Sequence, residues 1–493
     1  MGSDILQRLV EQHAMIEQLA ADSRRCAPGT VFFAYPGEAT DGRRYIADAL
    51  ARGASAVVWE AEGFAWDARW RVPNASVAGL KQEAGWIAHD FYGRPSEALW
   101  VCGVTGTNGK TSCTQWIAAA LESLGVKSGV IGTLGSGFPG ALDAALNTTP
   151  DVLELHALLA RMRQAGALAV AMEASSHGLA QGRTNGVAFD CALFTNLSHD
   201  HLDYHGTMDA YGAAKALLFE APSLEVAVLN LDDVAGVRLA ERARTRGLRT
   251  IGYSLLASQL VRGIVDQHLA ARSIVSEADA TRVSLESSWG GAELRLPQLG
   301  RFNVSNALGV LGCLLAYGVG FDAAVGRLAC LPAVAGRMQA LGGKAAPLVI
   351  VDYAHTPDAL EKVLHALRPV AEARGGALVA VFGAGGDRDA AKRPLMGAVA
   401  GRLADRIVLT SDNPRSEDPQ AILAAIRAGV AGACALEVDR ARAIDAAIGA
   451  AAPQDVVLIA GKGHESYQEI GGERRPFSDA DAARAALEAR GAA

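Results

Sequence analysis

Val101-Cys-Gly-Val-Thr-Gly-Thr-Asn-Gly-Lys-Thr-Ser112 is the stretch on which the reading of this chain turns. A continuous apolar run over residues 99–104 reads as a buried parallel strand, and the glycines beyond it as a tight loop before a helix. Backbone N–H groups of such a loop, with the helix N-terminus behind it, cradle phosphate oxygens. Lys110 would neutralise the β- and γ-phosphates, and the Thr111 hydroxyl would sit on Mg²⁺. The general pattern G-x-x-x-x-G-K-[ST] wants glycine at 104, where this chain has Val104, with glycines at 103 and 106. A phosphate loop alone serves kinases, motor ATPases and ligases equally.

The same alternation of apolar strand and helix extends on both sides. From about 98 to 335, residues 167–172, 188–197 and 225–230 read as further buried strands. Residues 261–297 alternate strictly, as in VSLESSW and AELRLPQL, which predicts an antiparallel interlude. From about 336 the alternation restarts with PLVIVDYAH, ALVAVFGAGG, RIVLTSDN and DVVLIAGKG. Each ends in Gly, Asp, Asn or His, where an open α/β sheet places its ligand crevice. Residues 357–367 and 419–430 read as the amphipathic helices between them. Residues 1–97 are mixed, with short strands at 30–34 and 56–60 and turn residues Gly29, Pro36 and Gly37.

A length of 493 residues corresponds to about three domains. Half the residues are hydrophobic and a fifth charged, a globular composition that rules out general disorder. The net charge of -7 and the lack of a basic block argue against a nucleic-acid partner. No uncharged apolar run of about 18 residues exists, so no membrane span is expected. The N-terminal residues have no apolar secretory core, and the seven cysteines form no C-x-x-C pair. Both point to reduced thiols in a cytoplasm.

Four of the eleven histidines fall in His199-Asp-His201-Leu-Asp203-Tyr-His205 and the nearby His177. Histidine and carboxylate at this density imply a metal site or proton chemistry. A metallo-β-lactamase-like pattern needs histidine where Tyr204 stands. Glu173 follows one strand and Asp200 and His201 another, so both can reach the phosphate-loop face of the sheet, with ligands suited to Mg²⁺. From spacing alone Lys215, in Tyr211-Gly-Ala-Ala-Lys215, reads as a lysine snorkelling from an apolar helix to the surface.

Taken together, these motifs closely resemble the Mur ligase family over essentially the whole chain. The carrying residues are Thr105–Thr111, Asn147-Thr-Thr-Pro150, Met172-Glu-Ala-Ser-Ser-His177, Asp200-His-Leu-Asp-Tyr-His-Gly206, Tyr211–Lys215, Arg301-Phe-Asn-Val-Ser-Asn-Ala307, Gly336-Arg337, Asp352-Tyr-Ala-His355, Asp412-Asn-Pro-Arg415 and Gly461-Lys-Gly-His-Glu465, in family order. The resemblance implies an α/β protein of three domains: a UDP-sugar-binding domain over 1–97, a central parallel-sheet P-loop ATPase domain over 98–335 and a Rossmann-like domain over 336–493. It implies ATP as co-substrate, held by Gly106, Thr107, Asn108, Gly109, Lys110, Thr111, Ser112, Asn303, Arg337 and Asp352. It promotes Lys215 to a lysine carbamylated by CO₂, which with Thr111, Glu173 and His201 binds Mg²⁺, and it makes Lys110, Glu173, His201 and Lys215 the catalytic set.

The reaction implied is amide formation between the glutamate γ-carboxylate of UDP-MurNAc-L-Ala-D-Glu and an amine of meso-diaminopimelate, a cytoplasmic step of peptidoglycan synthesis. For the nucleotide-sugar peptide the resemblance implies Ala21, Ser23, Glu38, Ala39, Thr40, Asn147, Thr148, Thr149, Ser175, Gln181 and Arg183. Glu38-Ala39 stands where many family members have His-Gln. For diaminopimelate it implies Arg388, Asp412, Asn413, Pro414, Arg415, Gly461 and Glu465, with Arg415 clamping the distal carboxylate and Glu465 suited to the ammonium. The chain is expected to work as a monomer. The competing readings are a sister ligase for lysine or for glutamate on a folate, against which Arg415 argues, and an ATP-binding regulator. A regulator would show erosion at Lys110, Glu173, His201 or Lys215, and all four stand.

Overall fold

The computed structural model describes residues 2–38, 40–255 and 263–491. Ala39 and the first two residues of the 261–297 segment lie outside the described residues. The chain divides into two compact units, 1–269 with 308–324, and 270–307 with 325–493.

The first unit carries two sheets. Strands Gln18–Ala20, Thr30–Ala34, Ala56–Glu60 and Asn74–Val77 pair in parallel in that order. Helices Gly2–Glu11 and Leu80–Phe91 share one core with Val31, Phe33 and Val58; Phe32, Ala34 and Val57 face a second core with Ile46 and Ala49. Successive strand residues thus bury opposite faces, as strands covered on both sides must.

The larger sheet runs in the order Arg249–Ser254, Val226–Asn230, Cys191–Phe194, Trp100–Thr105, Ala169–Glu173, Ser128–Gly132, all parallel, and continues through antiparallel Gly135–Phe138 and Ala141–Asp143. Its central strands are buried except at Trp100, which is partly exposed, matching their largely apolar sequences. Trp100–Thr105 lies between strands that come much later in the chain, so the connections diverge at its C-terminal end and leave a crevice there. Thr105, Gly132, Glu173, Phe194 and Asn230 end their strands on that same edge.

In the second unit Thr281–Ser287 and Gly290–Leu296 pair antiparallel, as the strict alternation predicts. A six-stranded sheet follows in the order Gln339–Gly342, Leu348–Asp352, Val456–Ala460, Leu378–Phe382, Arg406–Leu409, Ala435–Leu436, parallel except for its first strand. Helices Pro357–Arg374, Lys392–Leu403 and Pro419–Arg427 cover one face, Arg440–Gly449 and Asp479–Gly491 the other. The helix read over 357–367 runs on to Arg374 through Pro369. Proline costs an interior turn about 3 kcal/mol; here Val370 and Ala371, at 1% and 0% exposure, anchor the turn beyond it in the core. Gly375, left-handed at φ 69°, ends the helix.

Arg440 and Asp479 join two helices through hydrogen bonds of 2.7 and 2.8 Å with both side chains fully buried. Arg440 also donates to the carbonyls of Ser411 and Ala460, at the ends of two strands. Asp479→Ala strands that guanidinium in the core and is expected to cost about 3–5 kcal/mol, read as a lowered midpoint in chemical unfolding. Arg484→Ala, at the exposed pair with Asp481, is expected to cost under about 1 kcal/mol in the same assay.

Candidate functional site

The loop after Trp100–Thr105 is strapped to the segment after Cys191–Phe194. Thr107 N–H donates to the Asn196 carbonyl at 2.8 Å and Asn108 N–H to Asn196 Oδ1 at 3.0 Å. The Asn108 carbonyl accepts from Thr195 Oγ1 at 2.6 Å and Asn196 Nδ2 at 3.0 Å. Thr107 Oγ1 accepts from Ser198 N–H and donates to the Ser198 carbonyl. Gly106 has φ 146°, and a Cβ there would stand 1.9 Å from Thr195 Oγ1, so only glycine fits. Gly109, at φ 90°, starts helix Lys110–Ser123, whose first turn buries Thr111 and Ser112.

Lys110 Nζ donates to the carbonyls of Gly106 and Thr107 at 2.8 and 2.9 Å. Lys215 Nζ donates to the same Gly106 carbonyl at 2.9 Å and lies 4.1 Å from the centre of the Tyr211 ring. The surface reading of Lys215 is therefore overturned: at 1% exposure it sits on the buried face of Met208–Ala216 with Tyr211 and Ala214. Helical spacing assigned it to an apolar face, and that face packs inward beneath the phosphate loop. Burial, and then the charge of Lys110, push its ammonium well below the ordinary lysine range. Both effects favour the uncharged form of the Lys215 amine.

Glu173, 1% exposed, accepts from Thr133 N–H at 2.8 Å and Thr133 Oγ1 at 3.0 Å. Those bonds use two of its roughly four lone-pair positions. His201 is left-handed, at φ 52°, and half exposed, with Nε2 3.5 Å from Asp200. Its ring lies 4.9 Å from His177, which also faces Tyr204 and His205. Burial lowers the pKa of His177, His201 and His205, which favours neutral, metal-competent imidazoles. Among the described residues no hydrogen bond links Glu173 to His201 or Lys215; the three approach from separate elements. Thr111 and Glu173 offer oxygen donors of the hard kind that suits Mg²⁺, and His201 offers a nitrogen donor.

The residues assigned to the sugar peptide form a second connected group. Thr149 Oγ1 donates to the Glu173 carbonyl, Ser175 Oγ caps helix Ser176–Ala180, and Thr148 Oγ1 lies 3.1 Å from Thr133 Oγ1. Arg183 donates to the Thr149 carbonyl and to Gln181 Oε1. Gln181 and Tyr204 both donate to the Glu38 carboxylate. Thr40 meets Tyr45, and Asn147 is exposed. Ser23 is buried just beyond strand Gln18–Ala20. A cavity of about 550 Å³ opens beside Ala21, lined also by Asp22, Arg25, Tyr92, Asp151 and Glu154.

In the second unit Asp412–Arg415 is clamped from several sides. Asn413 Oδ1 accepts from Lys462 Nζ at 2.9 Å and from Glu469 N–H at 3.0 Å, while Asn413 Nδ2 donates to Glu465 Oε2 at 2.8 Å. Lys462, fully buried, also donates to Glu465. Gln468 donates to the Asp412 carbonyl. Gly461, at φ 120°, packs where a Cβ would lie 2.3 Å from Asp412 Oδ2. Pro414 closes over Gly386, whose Cβ would lie 1.9 Å from the Pro414 carbonyl. Arg415, left-handed at φ 51°, donates to the Gly386 carbonyl at 2.7 Å. A Cβ on Gly385 would meet Arg415 Nη1 at 3.0 Å and Arg388 Cγ at 3.7 Å, so the two arginines flank one glycine. Buried Arg393 grips Glu417 with two bonds of 2.8 Å, and Glu417 and Asp387 tie the two loops together.

Asp352 accepts from the N–H groups of Met338 and Ala354, Arg337 stacks 4.6 Å from the Tyr353 ring centre, and Asn303 is buried, donating to the Leu299 carbonyl. Sequence reasoning missed Thr133, Thr195, Asn196, Tyr211, Arg393, Glu417 and Lys462. Their signal lies in tertiary pairing, apart from Tyr211 and Lys462, which stand inside quoted motifs.

A strand, a glycine loop and a helix bearing Lys110 and Thr111, on the crevice edge of a parallel sheet, define a P-loop nucleotide-binding α/β protein. Family models match as the Mur ligase middle domain over 104–314, the Mur ligase, glutamate ligase domain over 336–463, and the Mur ligase family, catalytic domain over 15–92. A UDP-N-acetylmuramoyl-L-alanyl-D-glutamate--2,6-diaminopimelate ligase of Janthinobacterium sp. (strain Marseille) is 51% identical over 96% of this chain and 94% of its own. One of Pseudomonas aeruginosa is 52% identical over 97% and 96%. A solved structure of a ligase of that name aligns with a TM-score of 0.70 and 37% identity over 97% of this chain and 95% of the other. The MurF ligase of Thermotoga maritima in complex with ADP shares the fold, with a TM-score of 0.65 at 18% identity over 97% and 98%. The chain belongs to the Mur ligase family.

Gly106→Ala forces a Cβ into Thr195 and a side chain into a left-handed position. ATP binding is expected to weaken roughly 10- to 100-fold, the equivalent of about 1–3 kcal/mol, measured by calorimetry on protein whose circular dichroism is unchanged.

Proposed function

We propose that this chain is an ATP-dependent amide ligase that joins meso-diaminopimelate to UDP-MurNAc-L-Ala-D-Glu. The observation that carries the acceptor is the clamped Asp412–Arg415 loop. It presents a guanidinium beside Arg388, while the carboxylate of Glu465 is held by Lys462 and Asn413 in the same unit. An amino acid with a carboxylate and an ammonium at its far end matches that pairing, and lysine lacks the carboxylate. The named relatives at about half identity support the same assignment.

A carboxylate is a poor acyl donor, so the glutamate γ-carboxylate first attacks the γ-phosphate of ATP, giving an acyl phosphate and ADP. Two anions approach in that step; Lys110 and the N–H groups of residues 106–111 offset the repulsion. The amine then attacks the acyl carbon, and phosphate leaves with the electron pair of the broken bond. No side-chain nucleophile is required. Mg²⁺, held by Thr111, Glu173, His201 and carbamylated Lys215, supplies further charge neutralisation when bound.

The depressed pKa of Lys215 supports the carbamate: an uncharged amine can add to CO₂, releasing one proton. The nitrogen keeps one hydrogen, so its bond to the Gly106 carbonyl can persist. We read the chain as three domains, with the first UDP-sugar residues within 1–97, the phosphate loop within 98–335 and the diaminopimelate residues within 336–493. Every residue in the scheme comes from one chain, so a monomer suffices. ATP, a UDP-linked precursor and free cysteines support a cytoplasmic reaction; among the described residues no helix is long and apolar enough to cross a membrane.

Phosphate release with UDP-MurNAc-L-Ala-D-Glu and ATP is expected with meso-diaminopimelate and not with L-lysine; release with lysine would overturn the Arg415 assignment. Arg415→Ala is expected to raise KM for diaminopimelate by the equivalent of about 2–5 kcal/mol and leave KM for ATP nearly unchanged. Lys215→Ala should abolish turnover, with partial recovery in added short carboxylates; full activity without rescue would remove the carbamate from the scheme.

A further inference from the structure

Beneath the phosphate loop, in the interior of the first unit, lie three sulfur atoms that the scheme above does not use. Cys102 and Cys191 are register partners on adjacent parallel strands, so both side chains point to one face of the sheet. Cys313 comes down on that face from helix Arg301–Tyr317. The helix approaches closely because it has glycine where it meets the strands: a Cβ on Gly309 would stand 3.0 Å from Leu193, and one on Gly312 2.6 Å from Val228. Cys102 Sγ and Cys313 Sγ are 3.7 Å apart, and all three sulfurs lie within 4.8 Å of one another. Each residue is fully buried.

We propose that Cys102, Cys191 and Cys313 form a three-thiol binding site for a soft trivalent centre, of which arsenic(III) is the type. The spacing suits three sulfurs converging on one atom. The choice of charge follows from the surroundings. Among the described residues no carboxylate or imidazole joins the group. Zinc prefers four ligands, and three thiolates on a divalent ion leave one negative charge in a dry interior; on a monovalent ion they leave two. Three thiolates on a trivalent centre are neutral, and a neutral adduct pays no penalty of charge burial. The exchange balances without redox chemistry: arsenous acid and three thiols give a tris-thiolate arsenic(III) and three waters. Each As–O bond is replaced by an As–S bond, and each thiol proton leaves in a water molecule. Cys102 precedes Gly106 by four residues, so the bound atom would lie about 13 Å down the strand from the phosphate loop, clear of the nucleotide. Access requires a local opening of the helix from the sheet, so loading is slow.

The test is incubation of the full-length, reduced protein with sodium arsenite, read by intact-protein mass and by X-ray absorption at the arsenic edge. The expected result is one arsenic per chain with the loss of three protons, and three sulfur neighbours with no oxygen. Cys313→Ser should lose the adduct, whereas Cys330→Ser, at an exposed cysteine, should keep it. An adduct that retains oxygen on arsenic, one that survives in Cys313→Ser, or none after prolonged incubation would overturn the site. The two readouts on the unsubstituted chain decide the matter even if Cys313→Ser does not fold.

Discussion

The carbonyl oxygen of Gly106 is the point on which the first unit's site depends. Two lysines from different helices donate to it, at 2.8 and 2.9 Å. Two ammonium groups that close cannot both keep their ordinary affinity for a proton. Lys110 stands at the helix start; Lys215, 1% exposed, is the one whose proton affinity burial and the neighbouring charge lower. One backbone oxygen thus couples a cation meant for phosphate to an amine free to react. The oxygen can serve both because the loop around it is immobilised, its neighbouring amides being tied to Asn196, the Thr107 hydroxyl to Ser198, and its own backbone held in a conformation open only to glycine.

The second unit solves a related problem in another way. On the proposed reading, an arginine that selects a ligand must be held without being neutralised. Arg415 is fixed mainly through uncharged groups: its side chain donates to the Gly386 carbonyl, and its own N–H and carbonyl pair with the hairpin at Glu469 and Gly471. Its nearest carboxylate, Glu469, stands back at 3.7 Å. The full ion pairing is displaced one shell outward, to Arg393 with Glu417 and to Arg440 with Asp479. Those pairs, the second of them fully buried, hold the loops and leave the Arg415 guanidinium outside the closest ion pairs.

The parts of this architecture that were legible in the sequence are the ones set by local chemistry. Glycine spacing before Lys110-Thr111, apolar runs ending in polar residues, and strict alternation within 261–297 each specify a backbone state; the first two were found, and the alternation appears as antiparallel strands at 281–287 and 290–296. The helix at 357 was misjudged at its end, because Pro369 is a local signal and the burial of Val370 and Ala371 is a remote one. Lys215 was misjudged for the same reason. Helical spacing places it on an apolar face without saying what that face packs against.

By itself, then, the sequence determined the α/β class, the phosphate loop, the histidine cluster and, through motif order, the family. Those properties depend on residues near one another in the chain. Only the tertiary structure decided that Lys215 is buried beside Lys110, that Thr133 engages Glu173, that Glu38 meets Gln181 and Tyr204, and that three cysteines spread over 212 positions share one point in the core. Solvation and charge at a side chain are set by whatever packs against it, and the packing partners come from distant parts of the chain.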